Sequence, residues 1–511
     1  MDSKSHLINP RVGEALASRF NCLDGRLKPP LHGIAGILLG AALLAAATLP
    51  ALTPREAAAE GPGEIHPGQP GNDHFRPGPG EEPADDAKAA LPPKKTVDLH
   101  FGLVLQNFFF FMNDKDFDRT EPLYNVDGQT AGFFGTIFTP GLALDAADIV
   151  RIYYEAELGI NVWSKNNPDE NSPLADDIFL LKHREIWAKV YLVDSFGAKI
   201  GYQRLLDPTG LFVNHWIGAG TLFVETERAD YGLTVAQVPD STHEGLSFAD
   251  NNFKHDAFLT AFRGDVRVGE EVTVSAAALA LVDTSVVRRP DYIVVPALSV
   301  KAGVGSVTLE VDGLLQCGQA MNVTVDGGDA LNLGWALQGH VEAVHGWLFV
   351  GANALVLSYD DAAENNAMNL AALTSGKNRS ATLMITEDEL RDKYNNFDER
   401  MAVLRSGLYE MRAGMALFDV VVRAALADGF LSPGLVLGTF VVLNPDNAMG
   451  HTWGGFEGDL LLDLDFSRYA RLRLAGGVLV PGRALSAHVN EIDSEATDLV
   501  YMIEAVLEVR I

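Results

Sequence analysis

From Thr96 to the C-terminus the side chains alternate with a period of two, and that period fixes most of what this chain can become. At the terminus Tyr501, Ile503, Ala505, Leu507, Val509 and Ile511 alternate with Met502, Glu504, Val506, Glu508 and Arg510. Successive side chains of a strand point to opposite faces, so such a stretch has one apolar and one polar face. The segment from Phe456 repeats the pattern, with Gly458, Leu460, Leu462, Leu464 and Phe466 set against Glu457, Asp459, Leu461, Asp463 and Asp465. So do the stretches from Arg151 and from Asn332.

Eighteen segments of this kind can be marked, each about the length a tilted strand needs to cross a bilayer. Their connections are more telling than the strands. Long ones fall at 112–130, 164–177, 206–215, 239–255, 284–289, 318–330, 359–405, 444–452 and 482–498. Short ones fall between them, near 145–147, 194–195, 228, 269, 303, 345, 430 and 467. Strict alternation of long and short connections describes an up-and-down meander with turns at one rim and loops at the other. The even strand count leaves both chain ends on the turn side. The expected fold is therefore all-β: a transmembrane antiparallel barrel of 16–18 strands over 96–511. A β-propeller would repeat every 40–50 residues, and no such repeat is present. A solenoid needs shorter rungs, and a string of sandwiches would not keep the alternation along the whole chain. Tyr153, Tyr154, Trp187, Trp216, Trp335, Trp347, Trp453 and Tyr501, with the run Phe108 to Phe111, fit interfacial girdles or an ordinary core.

A barrel this wide cannot be filled by its own side chains, so polar groups should line it. Parity nominates Arg151, Glu155, Glu157, Arg263, Asp265 and Arg267 in the first half, with Lys199 and Arg204 less firmly attached. In the second half it nominates Glu310, Asp312, His340, Glu342, Asp459, Asp463, Asp465, Arg471, Arg473, Glu504, Glu508 and Arg510. Opposed charges across a constriction would bias which solutes pass; the alternative is that they only pair with one another. One strand conflicts with parity: Leu181-Lys182-His183-Arg184-Glu185 carries consecutive charges, which a β-bulge or a strand end outside the hydrocarbon would accommodate. The long connection 359–405 contains a capping box, Thr386 to Glu389. Leu390, Tyr394, Phe397, Met401 and Leu404 then recur at helical spacing, which predicts a helix that restricts the mouth or packs on other loops.

The N-terminus is a different kind of sequence. Arg26 and Lys28 precede the uncharged run Ile34 to Leu49, and Ala57-Ala58-Ala59 follows, the layout of a cleaved signal peptide over 1–59; an uncleaved anchor is the competing reading. Residues 60–95, rich in proline and glycine, read as a periplasmic tether without a core. Acids outnumber bases 68 to 39, for a formal net charge of -29, so a nucleic-acid partner lacks its basic footprint. Cys22 and Cys317 form no metal or disulfide motif. Asp114, Asp116 and Asp118 suggest a loop calcium site, but the glycine and glutamate of an EF-hand are missing. Asp240, Ser241, His243 and Ser247 share one loop without an orienting scaffold, so no catalytic triad is assigned. Asn378-Arg379-Ser380 matches a glycosylation sequon of little meaning for a bacterial chain. No cofactor, metal or enzymatic activity is expected.

The chain as a whole resembles bacterial outer-membrane porins. The stretch Arg184-Glu185-x-Trp187, Gly201-Tyr202-Gln203-Arg204 and Trp216 is similar to a run found in the alginate-export type. The match covers about 35 residues and is loose, since Tyr202-Gln203-Arg204 stands where the family has Arg-Gln, and the chain ends in Ile511 rather than Phe. The resemblance implies passive passage of an anionic polysaccharide through a basic lumen, which the acidic second half opposes. The expectation is a porin-like channel for hydrophilic solutes, with polysaccharide export as one version. Outer-membrane lipids and the barrel-insertion machinery are the implied partners. A loop-plugged structural or adhesive barrel is the alternative.

Overall fold

A computed structural model describes residues 97–113, 131–147, 149–159, 181–238, 257–269, 271–283, 291–320, 330–359, 367–368, 373–374, 380–385, 414–490, 495 and 497–511. The chain divides into two units, 1–60 and 61–511, and every described residue belongs to the second. The expected signal peptide, tether and helix over 386–404, with the aspartates at 114–118 and the loop holding His243, all lie outside the described residues.

The wall consists of eighteen antiparallel strands. In chain order they are β1 (Val97–Met112), β2 (Ala131–Ala146), β3 (Val150–Leu158), β4 (Leu181–Val193), β5 (Phe196–Leu206), β6 (Val213–Glu225), β7 (Ala229–Val238), β8 (Ala257–Val268) and β9 (Val272–Asp283). They continue as β10 (Asp291–Val304), β11 (Val307–Ala320), β12 (Ala330–His345) and β13 (Leu348–Leu357). Two short pieces, β14 (Ala367–Met368) and β15 (Leu373–Thr374), then interrupt the wall order. β16 (Met415–Ala424), β17 (Leu431–Val442), β18 (Trp453–Ser467), β19 (Ala470–Pro481) and β20 (Val500–Arg510) complete it. Each wall strand pairs with its sequence neighbour, and β13 pairs directly with β16. β1 pairs with both β2 and β20, from Val104↔Arg510 to Met112↔Met502, which closes the sheet. An even number of strands is what allows the first and last to meet antiparallel, and closure removes the exposed edge.

The connections fall as the sequence predicts, long and short in turn. Gly305 and Gly346 adopt the left-handed backbone, φ 61° and 58°, that a two-residue turn between twisted strands requires. Along each strand one parity is apolar and exposed: Leu460 is 68 % exposed, Ile200 68 % and Leu298 49 %. That set forms the outer wall. Trp347, Phe466 and Tyr469 stand exposed near the turn rim, and Trp453, Tyr501 and Phe109 near the loop rim, an arrangement of interfacial girdles. Two expected girdle residues depart from it: Tyr153 and Trp187 lie on the inward parity and stack at 5.2 Å. Among the described residues no helix is long and apolar enough to cross a membrane, which says nothing of a membrane-spanning barrel.

The conflict in Lys182 to Glu185 resolves through a bulge. Glu155 pairs with Glu185 but Ala156 pairs with His183, so Arg184 is the extra residue and its strand need not keep strict parity.

Candidate functional site: the inner wall and its inserted segment

The inner wall divides by height. Towards the turn rim it is charged and extensively paired. Arg151 reaches Asp145 at 2.6 Å, Lys189 reaches Glu225 at 2.8 Å, Arg263 reaches Asp265 at 2.8 Å, and Arg267 pairs with Asp230. Across the closing seam, on β18 to β1, Arg473 reaches Asp463 at 2.8 Å, Arg471 pairs with Asp465 and Arg510 with Glu508, whose other oxygen accepts from Gln106 at 2.9 Å. Arg423 approaches Asp463 at 3.7 Å. Opposite charges face each other across neighbouring strands because the register places them there: Asp463↔Arg473 and Asp465↔Arg471 are direct partners.

At mid-height a buried polar chain crosses the wall. His340 Nδ1 lies 2.6 Å from Asn353 Oδ1, and Asn353 donates to Asp419 at 2.8 Å. Gln338 donates to Asp312 at 3.0 Å, and Ser299 to Glu310 at 3.4 Å. Towards the loop rim the inward set turns apolar, with Val295, Ala297, Leu314, Ala336, Leu355, Leu357, Met415, Leu417 and Phe440 joined in one buried cluster.

Segments from the long connections fold against this band. In the connection between β5 and β6, Asp207 accepts from the backbone N–H groups of Thr209, Phe212 and Val213 and from the Thr209 hydroxyl. This self-capped turn holds Leu211 and Phe212, each 1 % exposed, in the cluster. A short helix, α1 (Arg483–Asn490), packs on β18 and buries Ala484 and Leu485 in the same cluster.

The most highly built of these segments is 380–385, from the long connection between β13 and β16. Glu457, fully buried on β18, accepts hydrogen bonds from three consecutive backbone N–H groups: Leu383 at 2.8 Å, Met384 at 2.6 Å and Ile385 at 2.7 Å. Leu383 N–H also reaches Asp459 at 3.2 Å, and Ala381 N–H reaches Asp419 at 3.3 Å. The wall makes room for the segment by omitting side chains. A Cβ on Gly438 would lie 2.2 Å from Thr382 Cγ2, and one on Gly477 would lie 2.2 Å from Asp459 Oδ1 and 3.0 Å from Met384 Cε. β14 and β15 of the same connection pair in parallel with the loop-side starts of β12 and β6, so this connection reaches well-separated strands of the wall.

Of the residues nominated from sequence, Arg151, Glu155, Glu157, Lys199, Arg263, Asp265, Arg267, Glu310, Asp312, His340, Glu342, Asp459, Asp463, Asp465, Arg471, Arg473, Glu504, Glu508 and Arg510 fall on the inward parity of their strands. Lys199 lies 4.1 Å from the Trp187 ring, and Glu157 pairs with the bulge residue Arg184 at 2.6 Å. Arg204 does not join them. Its strand alternates without interruption from Gln203, 2 % exposed on the inner side, to Leu206, 44 % exposed outside, and Arg204 shares the parity of Leu206. Arg204 lies five positions after Lys199, an odd step, so one regular strand cannot present both to the same side. Sequence reasoning also missed Glu457, Asp419, Arg423, Lys189 and Glu225. Glu457 stands in the polar set of its own strand, so the signal was present; Asp419 and Arg423 sit in β16, where the surrounding residues are too uniformly apolar to mark a parity.

No protein-family model and no curated protein sequence matches this chain. Solved structures do match in shape. Pseudomonas aeruginosa OccK9 (OpdG) superposes with a TM-score of 0.51 at 13% identity, covering 81% of this chain and 98% of that one. OccK8 (OprE) of the same organism gives 0.50 at 10%, and its OpdK, crystallised with vanillate, 0.50 at 12%, each over 81% and 98% of the two chains. At such identities the likeness is one of fold. The chain is a closed eighteen-stranded antiparallel barrel, similar in fold to these structures.

Proposed function

We propose that this protein is an outer-membrane channel for passive passage of small hydrophilic solutes, narrowed at mid-height by the segment 380–385. The observation that carries the reading is the pairing of an apolar outer wall with a charged inner one, in a barrel too wide for its wall side chains to fill. The residues nominated from sequence on the inward parity then line the path, and the Glu457 carboxylate fixes how far the segment projects into it. Carboxylates outnumber ammonium and guanidinium groups on that wall, so it favours cations and neutral solutes. Export of an anionic polysaccharide, the finer version suggested by the alginate-type resemblance, must contend with this balance. So must small carboxylates such as the vanillate found with OpdK.

A second reading, a loop-plugged structural or adhesive barrel, draws support from the apolar cluster that Leu211, Phe212, Ile385 and Leu485 form with the inner wall. Ion current through the purified barrel in a planar bilayer, under a salt gradient and with added polyuronate, separates the two. Discrete conductance steps with cation preference and no polymer block support the small-solute channel. Block by polyuronate moves the reading to polysaccharide. An inserted, heat-modifiable barrel that carries no current overturns the channel.

A further inference from the structure

The end of the β5–β6 hairpin leaves the wall. β4 accompanies β5 only as far as Ile186↔Tyr202, and β7 joins β6 only from Gly218↔Gln237. Beyond those rungs the two strands stay paired with each other, out to Leu206↔Asn214, with neither wall neighbour alongside. Gly201 marks the departure: its φ is 136°, and a Cβ there would lie 2.2 Å from the Ile186 carbonyl oxygen. Arg263 fixes where the hairpin end goes. Across the ladders Arg263 is level with Gly232, Phe223 and then Gly197, nine residues before Leu206 on β5. In a continuous wall those nine residues would set Leu206 about 30 Å further along the strand. Yet Arg263 Nη1 donates to the Leu206 carbonyl at 2.8 Å, while its Nε and Nη2 donate to Asp265 at 2.8 and 3.0 Å. Residues 203–217 therefore fold over the inner face of β8, and Leu211, Phe212 and Val213 join Leu259 of that strand in the buried cluster.

Asn214 has two strand partners, Leu206 and Thr374, so β15 occupies the edge of β6 that β7 has left. β15 belongs to the same connection as the segment 380–385 seated on Glu457. A path of backbone contacts thus runs from Arg263 through the hairpin end, β15 and the segment to Glu457. β8 and β18 stand eight strands apart in a wall of eighteen, so the path crosses the barrel from one side to the other. We propose that hairpin end and segment form one strap across the lumen, anchored by Arg263 on one side and Glu457 on the other, and that it is seated or released as a unit. Both anchors grip main chain: a guanidinium holds a carbonyl, and a carboxylate holds N–H groups. The inference concerns regulation of the channel proposed above and rests on that reading.

The test uses the full barrel in lipid, with its folding first checked by heat-modifiable migration, and compares wild type, Arg263→Gln, Glu457→Ala and the double variant. Hydrogen exchange at the Leu383, Met384 and Ile385 amides reports seating whether or not the barrel conducts. In Arg263→Gln these amides should exchange about tenfold faster, the effect of losing one charge-assisted hydrogen bond at the other end of the strap. Arg263→Lys keeps the charge but loses the fork, so it should fall between, and it carries the test if the glutamine variant does not fold. Single-channel conductance should rise in each single variant, and the double variant should exceed the larger of the two only slightly. Unchanged exchange in both Arg263 variants, or conductance increments that simply add, overturns the strap. A folded barrel that shows the coupled exchange but carries no current in any variant supports the strap and overturns the channel reading instead.

Discussion

Replacing Glu457 with alanine should release the segment 380–385 without opening the wall. The wild-type carboxylate accepts from Leu383, Met384 and Ile385 N–H, all within 2.8 Å. In Glu457→Ala those donors would remain buried without their acceptor, at about 1–3 kcal/mol each. Even the low end of the sum, about 3 kcal/mol, shifts the ratio of seated to released segment by roughly 100-fold. Asp459 offers only one longer contact to Leu383 and Asp419 one to Ala381, so neither replaces the lost acceptor. The wall ladder of β17, β18 and β19 does not pass through the Glu457 side chain, so heat-modifiable migration and the unfolding midpoint should stay near wild type. Single-channel conductance should rise, together with the size limit for neutral solutes. Glu457→Gln, which keeps one oxygen but turns two new donors towards existing donors, should fall between. Unchanged conductance and size limit in Glu457→Ala would refute the claim that this segment restricts the channel. Loss of heat-modifiable migration would instead make Glu457 a residue of wall stability.

Three further outcomes follow from the same geometry. Gly438→Val places a Cβ 2.2 Å from Thr382 Cγ2 and should raise conductance as Glu457→Ala does, although every buried carboxylate is kept; the bilayer assay checks it. Leu460→Arg, at mid-strand in β18 on the outer wall, should destabilise the barrel by about 2–4 kcal/mol in a urea titration in lipid, as arginine at the midplane does. The reversal potential in a salt gradient should have the sign of cation preference. Asp463→Asn combined with Asp465→Asn should move it towards anions, since two negative charges facing Arg471, Arg473 and Arg423 are removed.

Much of the fold was legible because a closed sheet with an apolar outside imposes simple rules. Period two marks a strand with an apolar outer face and a polar inner one, as in Leu460 against Asp459. Turn and loop lengths then order the strands: the expected first strand begins at Val97, and the expected long connections coincide with those between the observed strands to within a few residues, except that the one expected to end at 405 runs on until β16 begins at Met415. The interior was less legible, for a physical reason. Parity tells which side a residue faces but not what comes to meet it. Glu457 is a member of an acidic alternation in the sequence. Only the fold shows that its partners are main-chain donors from a segment more than 70 residues earlier, which carry no side-chain signature. The glycines opposite that segment are equally silent, since Gly438 and Gly477 read as ordinary weak points of a strand until the space above them is seen to be occupied.

The stretch that carried the alginate-type resemblance turns out to be a physical unit. Arg184, Arg204 and Trp216 come from three consecutive strands and meet at one indole ring, while Glu185 accepts from the Trp187 indole N–H at 2.6 Å on the inward side. The bulge that inserts Arg184 is what brings it within reach of its neighbour's tryptophan, so the consecutive charges of Lys182 to Glu185 and the distant Trp216 solve one packing problem together. A motif of that kind can be shared by barrels that carry different solutes, because its arginines and tryptophan act at the wall and its rim. On the channel reading proposed above, the solute is chosen elsewhere, by the carboxylates on the inward parity and by the segment seated on Glu457. Conductance and selectivity should therefore survive Arg204→Gln and change in Glu457→Ala, and a bilayer comparison of the two variants tests that division directly.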